Sequence, residues 1–391
     1  MSERGPSLNE RVDRGHVHTD PAATVVSIED REAFRADALG LGFLQVGFAP
    51  AGVPPHADAY LAWLHDGRHG EMNWMAREDS VRRRLDPREA LCGCRSLVVV
   101  SLSYAGPSDS CPDSSGPIGS SEVSLVARYA AGRDYHLEFE ERLDRLGELL
   151  RGRWPAALVK PYVDYGPVLE RDHAQRAGLG WVGKNTMLIH PQLGSWTLLG
   201  ELLTTVEIPP DEPFEADRCG TCTRCIEACP TGAIIGPRQL DARLCISYLT
   251  IELRGTIPEA LRPAIGNRVF GCDICQEVCP WNDGVPPGEL AGLAAHWGGP
   301  APVDTLVGWA EELLDLTAEQ FRSRYAETPL ARPGREGLLR NLCVGLGNSR
   351  DSAVLPVVLR CLGEESPLVR EHAAWALARL EATRGGLSIR S

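Results

Sequence analysis

The stretch Cys219-Gly-Thr-Cys222-Thr-Arg-Cys225-Ile-Glu-Ala-Cys229-Pro230 decides how the middle of this 391-residue chain folds. Three cysteines at two-residue intervals, followed after three residues by a fourth cysteine and a proline, form the bacterial ferredoxin pattern. In that pattern the three closely spaced thiolates bind one iron-sulfur cluster, and the fourth thiolate binds a second cluster. The stretch therefore predicts a ferredoxin-like segment with two clusters.

The ligands of the second cluster follow further along the chain. Cys272-x2-Cys275-x3-Cys279-Pro280 repeats the pattern with one cysteine fewer, and Cys245 lies between the two runs. Together these cysteines supply the eight thiolates that two 4Fe-4S clusters require. The crossing pattern predicts a first set of Cys219, Cys222, Cys225 and Cys279, and a second set of Cys229, Cys245, Cys272 and Cys275. A protein with two such clusters transfers electrons one at a time.

Zinc and disulfide bonds are the alternatives for these cysteines. Zinc sites also use pairs of cysteines two residues apart. A third cysteine at the same interval and a proline after the last one, both repeated, are typical of clusters instead. A disulfide framework needs an oxidising compartment and is usual in small domains. The polar N-terminus has no apolar core of a signal peptide through Asp20, so we expect a cytoplasmic protein.

Composition describes an ordinary folded protein of two or three domains, with 43% hydrophobic and 24% charged residues. The net charge of -13 argues against indiscriminate nucleic-acid binding, although it leaves room for a local basic face. The sequence contains no uninterrupted apolar stretch near the ~20 residues that a membrane helix needs. We therefore expect no membrane partner.

The chain divides into four parts by pattern. Residues 1–25 lack apolar periodicity and are predicted to form a disordered leader. Residues 26–208 alternate strand and helix signals, with strands predicted at Leu97–Leu102 and Leu158–Val163 and a helix at Tyr135–Leu150. The ferredoxin-like part spans 209–285. Residues 286–391 are wholly helical and contain a weak repeat typical of HEAT-like helical pairs, so the predicted fold class is α+β with a helical C-terminal part.

A glycine-rich loop, Gly178-Leu-Gly180-Trp-Val-Gly183-Lys184-Asn185, matches two phosphate-binding patterns superficially. Both patterns need a strand before the loop and a helix after it. Here residues 168–177 are predicted as a helix and 186–190 as a strand, which is the reverse order. We reject nucleotide binding by this loop.

Two aspartates are candidates for acid-base chemistry. Asp164 follows the predicted strand and precedes Gly166-Pro167, so it is either a catalytic group at a strand end or a turn-forming aspartate. Asp134 begins the predicted helix, where an aspartate usually caps the free backbone amides. We therefore rank Asp134 as structural first and catalytic second. His136 does not complete a corrinoid D-x-H-x-x-G motif, because Phe139 replaces the glycine.

Several segments together resemble the epoxyqueuosine reductase family. The segments that carry the resemblance are 84–87, 127–136, 163–171, the glycine-rich loop at 177–184, Cys245–Glu252, 266–275 and Arg340-Asn341. The eight cysteines occur in the same order, and the resemblance covers about residues 29–380. It implies a cobalamin-binding reductase domain ahead of the ferredoxin-like domain, and reduction of epoxyqueuosine to queuosine at the wobble position of tRNA.

The resemblance also implies roles for particular residues. Asp164 matches the proton donor of the family and lies at the cobalamin, while Arg84 and Ser247 match positions near that cofactor. Opening an epoxide to an alkene requires two electrons and protonation of the oxygen, so the acid must still carry its proton near neutral pH. Low-potential cobalt fed by the clusters would supply the electrons.

A basic run near the C-terminus suits a tRNA partner. Residues 322–340 contain five arginines and two acids in an otherwise acidic chain, and we expect tRNA contacts from Arg332, Arg335 and Arg340. An external low-potential electron donor and a monomeric state are also expected. The alternatives are a reductive dehalogenase-like cobalamin enzyme for a small organohalide and an electron carrier without an active site. The carrier leaves about two hundred residues before the cysteines unexplained.

Overall fold

A computed structural model of the chain describes residues 26–106, 125–288, 290 and 303–387. The predicted leader lies outside these residues, as do residues 107–124, a stretch rich in serine, proline and glycine. Eight strands occur in the described parts of the chain. They are β1 Gln45–Pro50, β2 Ser96–Ser103, β3 Val159–Tyr162, β4 Trp181–Val182, β5 Leu188–Ile189, β6 Thr197–Thr204, β7 Ile234–Gly236 and β8 Gln239–Leu240.

Four of these strands form an antiparallel sheet in the order β1-β2-β6-β3. Every residue of β2 is buried, because the strand is central and its apolar side chains face a packed layer on both sides. The strands predicted at 97–102 and 158–163 are therefore confirmed as β2 and β3. The pairs β4-β5 and β7-β8 form two small separate hairpins, and the second of them lies in the cysteine-rich part.

Helices cover both faces of the sheet. On one face, α1 (Ile28–Gly40) and α5 (Tyr135–Arg153) pack Phe34, Phe139 and Leu146 against the sheet. The helical periodicity predicted for 135–150 is thus confirmed, with Asp134 as the N-cap. Three helices connect β1 to β2, and a fourth follows β3 and packs Ala174 on the other face. They are α2 Ala57–His65, α3 Asn73–Ala76, α4 Glu78–Leu85 and α6 Glu170–Arg176.

The cysteine-rich part consists of short helices joined by turns. They are α7 Arg224–Ala228, α8 Ile246–Ile251, α9 Arg262–Ile265 and α10 Ile274–Glu277. Buried Gln276 of α10 donates its amide N–H groups to the Tyr104 hydroxyl (3.0 Å) and to the Ser195 carbonyl (2.8 Å). These bonds fix the cysteine-rich part against the end of the main sheet.

Five α-helices occur in the described residues of the C-terminal part. They are α11 Val303–Asp315, α12 Ala318–Tyr325, α13 Gly334–Ser349, α14 Leu355–Leu362 and α15 Pro367–Leu387. The two segments of the weak repeat lie in α13 and α15, which pack along each other. Their core also includes Val126 and Phe270 from earlier parts of the chain, so this helical layer is not separated from the rest. Within the described residues, no helix is both long and apolar enough to traverse a bilayer.

Candidate redox and proton-transfer site

The first set of cysteines lines one cavity. Cys219, Cys222, Cys225 and Cys279 surround it, together with Lys184 and Trp281. The first three thiols come from the loop around α7, and Cys279 comes from the turn after α10. Because α7 packs against α10, two segments more than fifty residues apart meet at this cavity. Four thiols around one space form a donor set that fits a 4Fe-4S cluster.

The second set is brought together more deeply in the fold. Burial raises the pKa of the Cys272 thiol to about 12, and the nearby Cys245 thiol adds to the rise. Burial also raises the pKa of Cys245, with a contribution from Cys229. The pKa of Cys275 lies well above its usual value, because of burial and then Cys272 and Cys245. The thiols of the second set therefore lie close enough for their charges to act on one another.

The glycine-rich loop binds the cysteine-rich part. It follows α6 and leads into β5, so the order helix, loop, strand is confirmed and the phosphate-binding patterns do not apply. Trp181 donates its indole N–H to Cys219 Sγ (3.5 Å). Lys184 Nζ donates to the carbonyls of Gly220 (2.6 Å) and Cys222 (2.9 Å). The loop therefore fixes the backbone around the first set of thiols.

Asp164 lies just beyond the end of β3 in a tight turn. Its φ is +46°, in the left-handed region that aspartate tolerates better than most residues. Its side chain is 60% exposed, and its backbone N–H donates to Glu170 Oε1 at 2.6 Å. Buried Arg84 donates to the Gly166 carbonyl in the same turn (3.4 Å) and to Ser80 Oγ. The predicted residues Arg84 and Asp164 are thus brought together, with Arg84 supporting the turn.

Two further carboxyl groups, those of Glu170 and Glu201, lie close to the Asp164 turn. Burial, followed by the charge of Asp164, raises the pKa of Glu170 to about 8. Glu201 in β6 is fully buried, and neither of its carboxyl oxygens makes a hydrogen bond of ordinary geometry with a described residue. Burial and then Glu170 hold the pKa of Glu201 well above its usual value. No motif in the sequence predicts this pair, although a lone glutamate in the apolar run Leu198–Leu203 is a usable signal.

Asp134 caps α5 and also contacts a histidine. Its Oδ1 accepts the His136 backbone N–H (3.0 Å) and lies 2.6 Å from His136 Nδ1. Burial opposes ionisation of Asp134, but the hydrogen bonds and charge of His136 and the charge of Arg332 together outweigh it and lower the pKa of the carboxyl. The other ring nitrogen, His136 Nε2, lies 3.8 Å from Asp164 Oδ2. The two candidate aspartates are therefore joined through His136.

Ser247 and Arg332 lie at two different sides of this region. Ser247 follows Cys245 by two residues, and its polar groups counteract the burial that raises the pKa of that thiol, so it lies at the second set of cysteines. Arg332 is exposed and pairs with Glu252 at 2.5 Å, with its guanidinium 5.7 Å from the centre of the Trp74 ring. The charges of Arg332 and Asp164 act on each other, which places Arg332 near the aspartate turn.

The other two predicted tRNA arginines face inward. Arg335 pairs with Glu364 through two bonds of 2.9 Å. Arg340 is fully buried and donates to the carbonyls of Leu249, Leu253 and Gly255 at 2.7–2.8 Å. A buried guanidinium that is engaged in this way joins α13 to α8 and the turn after it. The structure thus gives Arg340 a structural role in place of the predicted tRNA contact.

Two protein-family models match the chain. Residues 218–282 match the 4Fe-4S double cluster binding domain. Residues 84–165 match the family described as epoxyqueuosine reductase QueG, DUF1730. The first match contains all eight cysteines of the two sets, and the second contains Arg84, Asp134 and Asp164.

Curated relatives and solved structures agree with these matches. The chain is 42% identical to the epoxyqueuosine reductase of Pseudomonas aeruginosa, over 92% of this chain and 95% of that protein. It is 40% identical to the Escherichia coli epoxyqueuosine reductase, over 87% of each. A crystal structure of epoxyqueuosine reductase with an epoxyqueuosine-modified tRNA-Tyr stem loop superposes with a TM-score of 0.77 at 30% identity, over 90% of each chain. The Streptococcus thermophilus enzyme gives a TM-score of 0.75 at 26% identity, over 91% of this chain and 90% of that one.

Proposed function

The chain belongs to the epoxyqueuosine reductase family and is an oxidoreductase of tRNA modification, and we propose how its residues reduce epoxyqueuosine to queuosine. The observation that carries the proposal is the position of Asp164. It stands exposed at a strand end, within reach of His136 and near Arg332, in the part of the chain that precedes the cysteines. The organohalide alternative finds no support among these relatives.

The two sets of cysteines would each hold one 4Fe-4S cluster. The match to a double-cluster domain supports iron-sulfur binding, and the grouping of thiols supports the assignment of four to each cluster. Trp181 and the backbone N–H of Ala233 donate to Cys219 Sγ and Cys229 Sγ, at 3.5 and 3.3 Å. Such hydrogen bonds stabilise the added negative charge of a reduced cluster.

Residues around Asp164 fit a corrin with amide side chains. Glu252 Oε2 is buried without a hydrogen-bond partner among the described residues, so it can accept an amide N–H from a ligand. Arg332 pairs with the other oxygen of Glu252 and is also affected by the charge of Asp164, so both carboxyl groups belong to the surroundings of this arginine. Ser247 lies next to Cys245, at the second set of thiols from which the electrons would come. When bound, the cobalamin would supply electrons that arrive singly from the clusters.

Asp164 would act as the general acid. Reduction of the epoxide to an alkene consumes two electrons and two protons and releases the oxygen as water. Protonation of the oxygen makes it a better leaving group, so a positioned acid lowers the barrier to breaking the carbon-oxygen bonds. Glu170 holds the backbone of Asp164 in place by accepting its N–H at 2.6 Å, and Arg84 holds the turn by donating to the Gly166 carbonyl.

The tRNA would approach from the side of Arg332. This arginine is exposed and near Asp164, whereas Arg335 and Arg340 serve the packing of the helical layer. Because the substrate would be tRNA, we expect the reaction to take place in the cytoplasm. The electrons would come from an external low-potential donor, and we expect the protein to act as a monomer, with α13 and α15 as a HEAT-like pair.

Reconstitution under anaerobic conditions tests the proposal. The protein should bind roughly eight irons per chain and cobalamin, and should convert epoxyqueuosine to queuosine in tRNA, as measured by mass spectrometry of the nucleosides. Replacing Cys92 or Cys343 by serine should leave the iron content unchanged, because both lie outside the two sets. Protein with zinc and no iron, or fully reconstituted protein that leaves the epoxide intact, would refute the proposal.

A further inference from the structure

His136 bridges two carboxyl groups that the sequence separates by thirty residues. Its Nδ1 lies 2.6 Å from Asp134 Oδ1, and its Nε2 lies 3.8 Å from Asp164 Oδ2. The imidazole stacks between Tyr135 and Tyr165, with ring centres 4.2 and 5.5 Å away. The ring is therefore held with one nitrogen towards each aspartate.

We propose that Asp134 and His136 are positioning residues that return a proton to Asp164 during each turnover. This inference rests on the proposed function, because it assumes that Asp164 is the acid. The capping of α5 explains the bond from the His136 backbone to Asp134, but it does not explain the second bond to the imidazole. A carboxylate on one ring nitrogen fixes the tautomer and orients the other nitrogen, as in catalytic triads.

The stoichiometry of the reaction creates the need for such a supply. Asp164 carries one proton, but the oxygen takes up two before it leaves as water. Asp164 gives its proton to the epoxide oxygen as the first carbon-oxygen bond breaks, and becomes a carboxylate. His136 then passes its Nε2 proton to Asp164 Oδ2. The refilled acid protonates the hydroxyl, and the second carbon-oxygen bond breaks with release of water. The two electrons come from the proposed cofactors.

The surroundings of His136 allow it to recover its proton. Its side chain is 23% exposed, so Nε2 can be reloaded from solvent after transfer, while Nδ1–H stays bonded to Asp134. The 3.8 Å separation from Asp164 must shorten by about 1 Å for direct transfer, which is usual for sites without substrate.

The charged and titratable groups around the imidazole come from three segments. Asp134 and Tyr135 belong to the start of α5, and Asp164 and Tyr165 to the turn after β3. Arg332 acts on Asp134 from the C-terminal part, whose Glu327 carbonyl accepts the Asp134 backbone N–H at 2.7 Å. The proposed tRNA-binding part thus contacts the relay directly.

Chemical rescue provides the test. In fully reconstituted enzyme, His136→Ala should lower kcat for conversion of epoxyqueuosine tRNA by roughly 10- to 100-fold, and added imidazole should restore much of the loss. Cluster content and tRNA affinity should stay unchanged. His56→Gln is the matched control, because His56 Nδ1 forms a similar 2.5 Å bond with Asp172 on a different helix. That control should match the unsubstituted enzyme.

Asp134→Asn separates the relay from the helix cap. Asparagine caps a helix about as well as aspartate, so the fold should be kept while the charge on Nδ1 is lost. We expect kcat to fall roughly 10-fold and its dependence on pH to change. Full activity of His136→Ala would overturn the relay. The relay is also wrong if His136→Ala is folded and slow, imidazole does not rescue it, and Asp134→Asn has normal activity. If the unsubstituted enzyme itself does not reduce the epoxide, the proposed function fails instead.

Discussion

At the scale of single residues, three carboxyl groups near one turn have different environments. Asp164 is exposed, Glu170 is half-buried, and Glu201 is fully buried. Like charges in a poorly solvated space cannot all ionise, so the inner groups keep protons at neutral pH. The exposed Asp164 carboxyl is therefore supported by two glutamates that are uncharged at neutral pH.

Substitution of the exposed acid tests its role. Asp164→Asn should retain both clusters and cobalamin but lose at least about 100-fold in turnover, which is typical for removal of a general acid. Asp315→Asn, at an exposed ion pair of α11, is the control and should leave turnover unchanged. Conversion measured by mass spectrometry decides the matter, and an Asp164→Asn enzyme with near-normal turnover would contradict the assignment.

Glu201 should make stability depend on pH. Below its ordinary pKa of about 4.5 the glutamates are protonated in both the folded and the unfolded chain. As the pH rises above that value, the unfolded chain loses these protons while burial keeps them on Glu201 and, up to its pKa of about 8, on Glu170 in the folded chain. The folded state therefore loses stability by up to about 1.4 kcal/mol per pH unit for each proton. Glu201→Gln should reduce this loss. Thermal unfolding from pH 5 to 8 measures this loss of stability, with the exposed Glu207→Gln as the control. If stability falls equally with pH in the unsubstituted protein and in both variants, Glu201 is not the cause.

At the scale of elements, the glycine-rich loop shows how a local motif acquires a different use. Its residues connect α6 to the first set of thiols, and Asn185 Nδ2 also donates to the carbonyl of Cys275 at 3.2 Å. The loop thereby touches the backbone of both cysteine runs. Hydrogen bonds to cluster sulfurs are one of the means by which proteins set reduction potentials.

Trp181 offers a direct measurement of this effect. Trp181→Phe removes the N–H bonded to Cys219 Sγ and keeps an aromatic ring against Phe214 and Trp281. We expect the reduction potential of the cluster at the first set to become more negative, while the other cluster is unchanged. Redox titration followed by electron paramagnetic resonance measures both. Trp63→Phe is the control, because its N–H binds the Leu240 carbonyl; an equal shift in both variants would exclude a specific effect of the bond to sulfur.

The sequence predicted helices and strands better than it predicted contacts between residues far apart in the chain. The helix α5 and the strands β2 and β3 follow from apolar periodicity, because that signal lies within each segment. The burial of Arg340 did not follow, since its partner Leu249 lies 91 residues earlier and nothing local separates a buried arginine from an exposed one. The link from His136 to Asp164 was missed for the same reason. Cysteine spacing can predict a contact at long range because cluster geometry constrains it, and Cys279 does line one cavity with Cys219.

At the scale of the whole molecule, the C-terminal helices are continuous with the redox part. Arg340 joins α13 to α8, and Asn341 donates to the carbonyls of Thr250 (2.8 Å) and Val269 (2.7 Å). Both bonds cross from the helical layer to the segments that carry Cys245 and Cys272. The position of any tRNA bound to the helices is therefore fixed relative to the clusters and Asp164.

This arrangement predicts opposite consequences for two arginines of the same basic run. Arg332→Gln should weaken binding of epoxyqueuosine tRNA and lower the slope of log affinity against log salt by roughly 0.7–0.9, the value for one lost phosphate contact. Arg360→Gln, at an exposed ion pair on α14, is the control and should leave the slope unchanged.

Arg340→Met should act on stability instead of on tRNA. It leaves the carbonyls of Leu249, Leu253 and Gly255 without a buried donor, so the free energy of unfolding should fall by at least about 2 kcal/mol. Since the guanidinium is inaccessible, the folded fraction should bind tRNA with an unchanged salt slope. Binding titrations at several salt concentrations, together with thermal unfolding, measure both properties. The opposite result would be a flattened salt dependence of tRNA affinity for a fully stable Arg340→Met protein and an unchanged one for Arg332→Gln. It would show that tRNA binds the helical layer at Arg340 and not at Arg332.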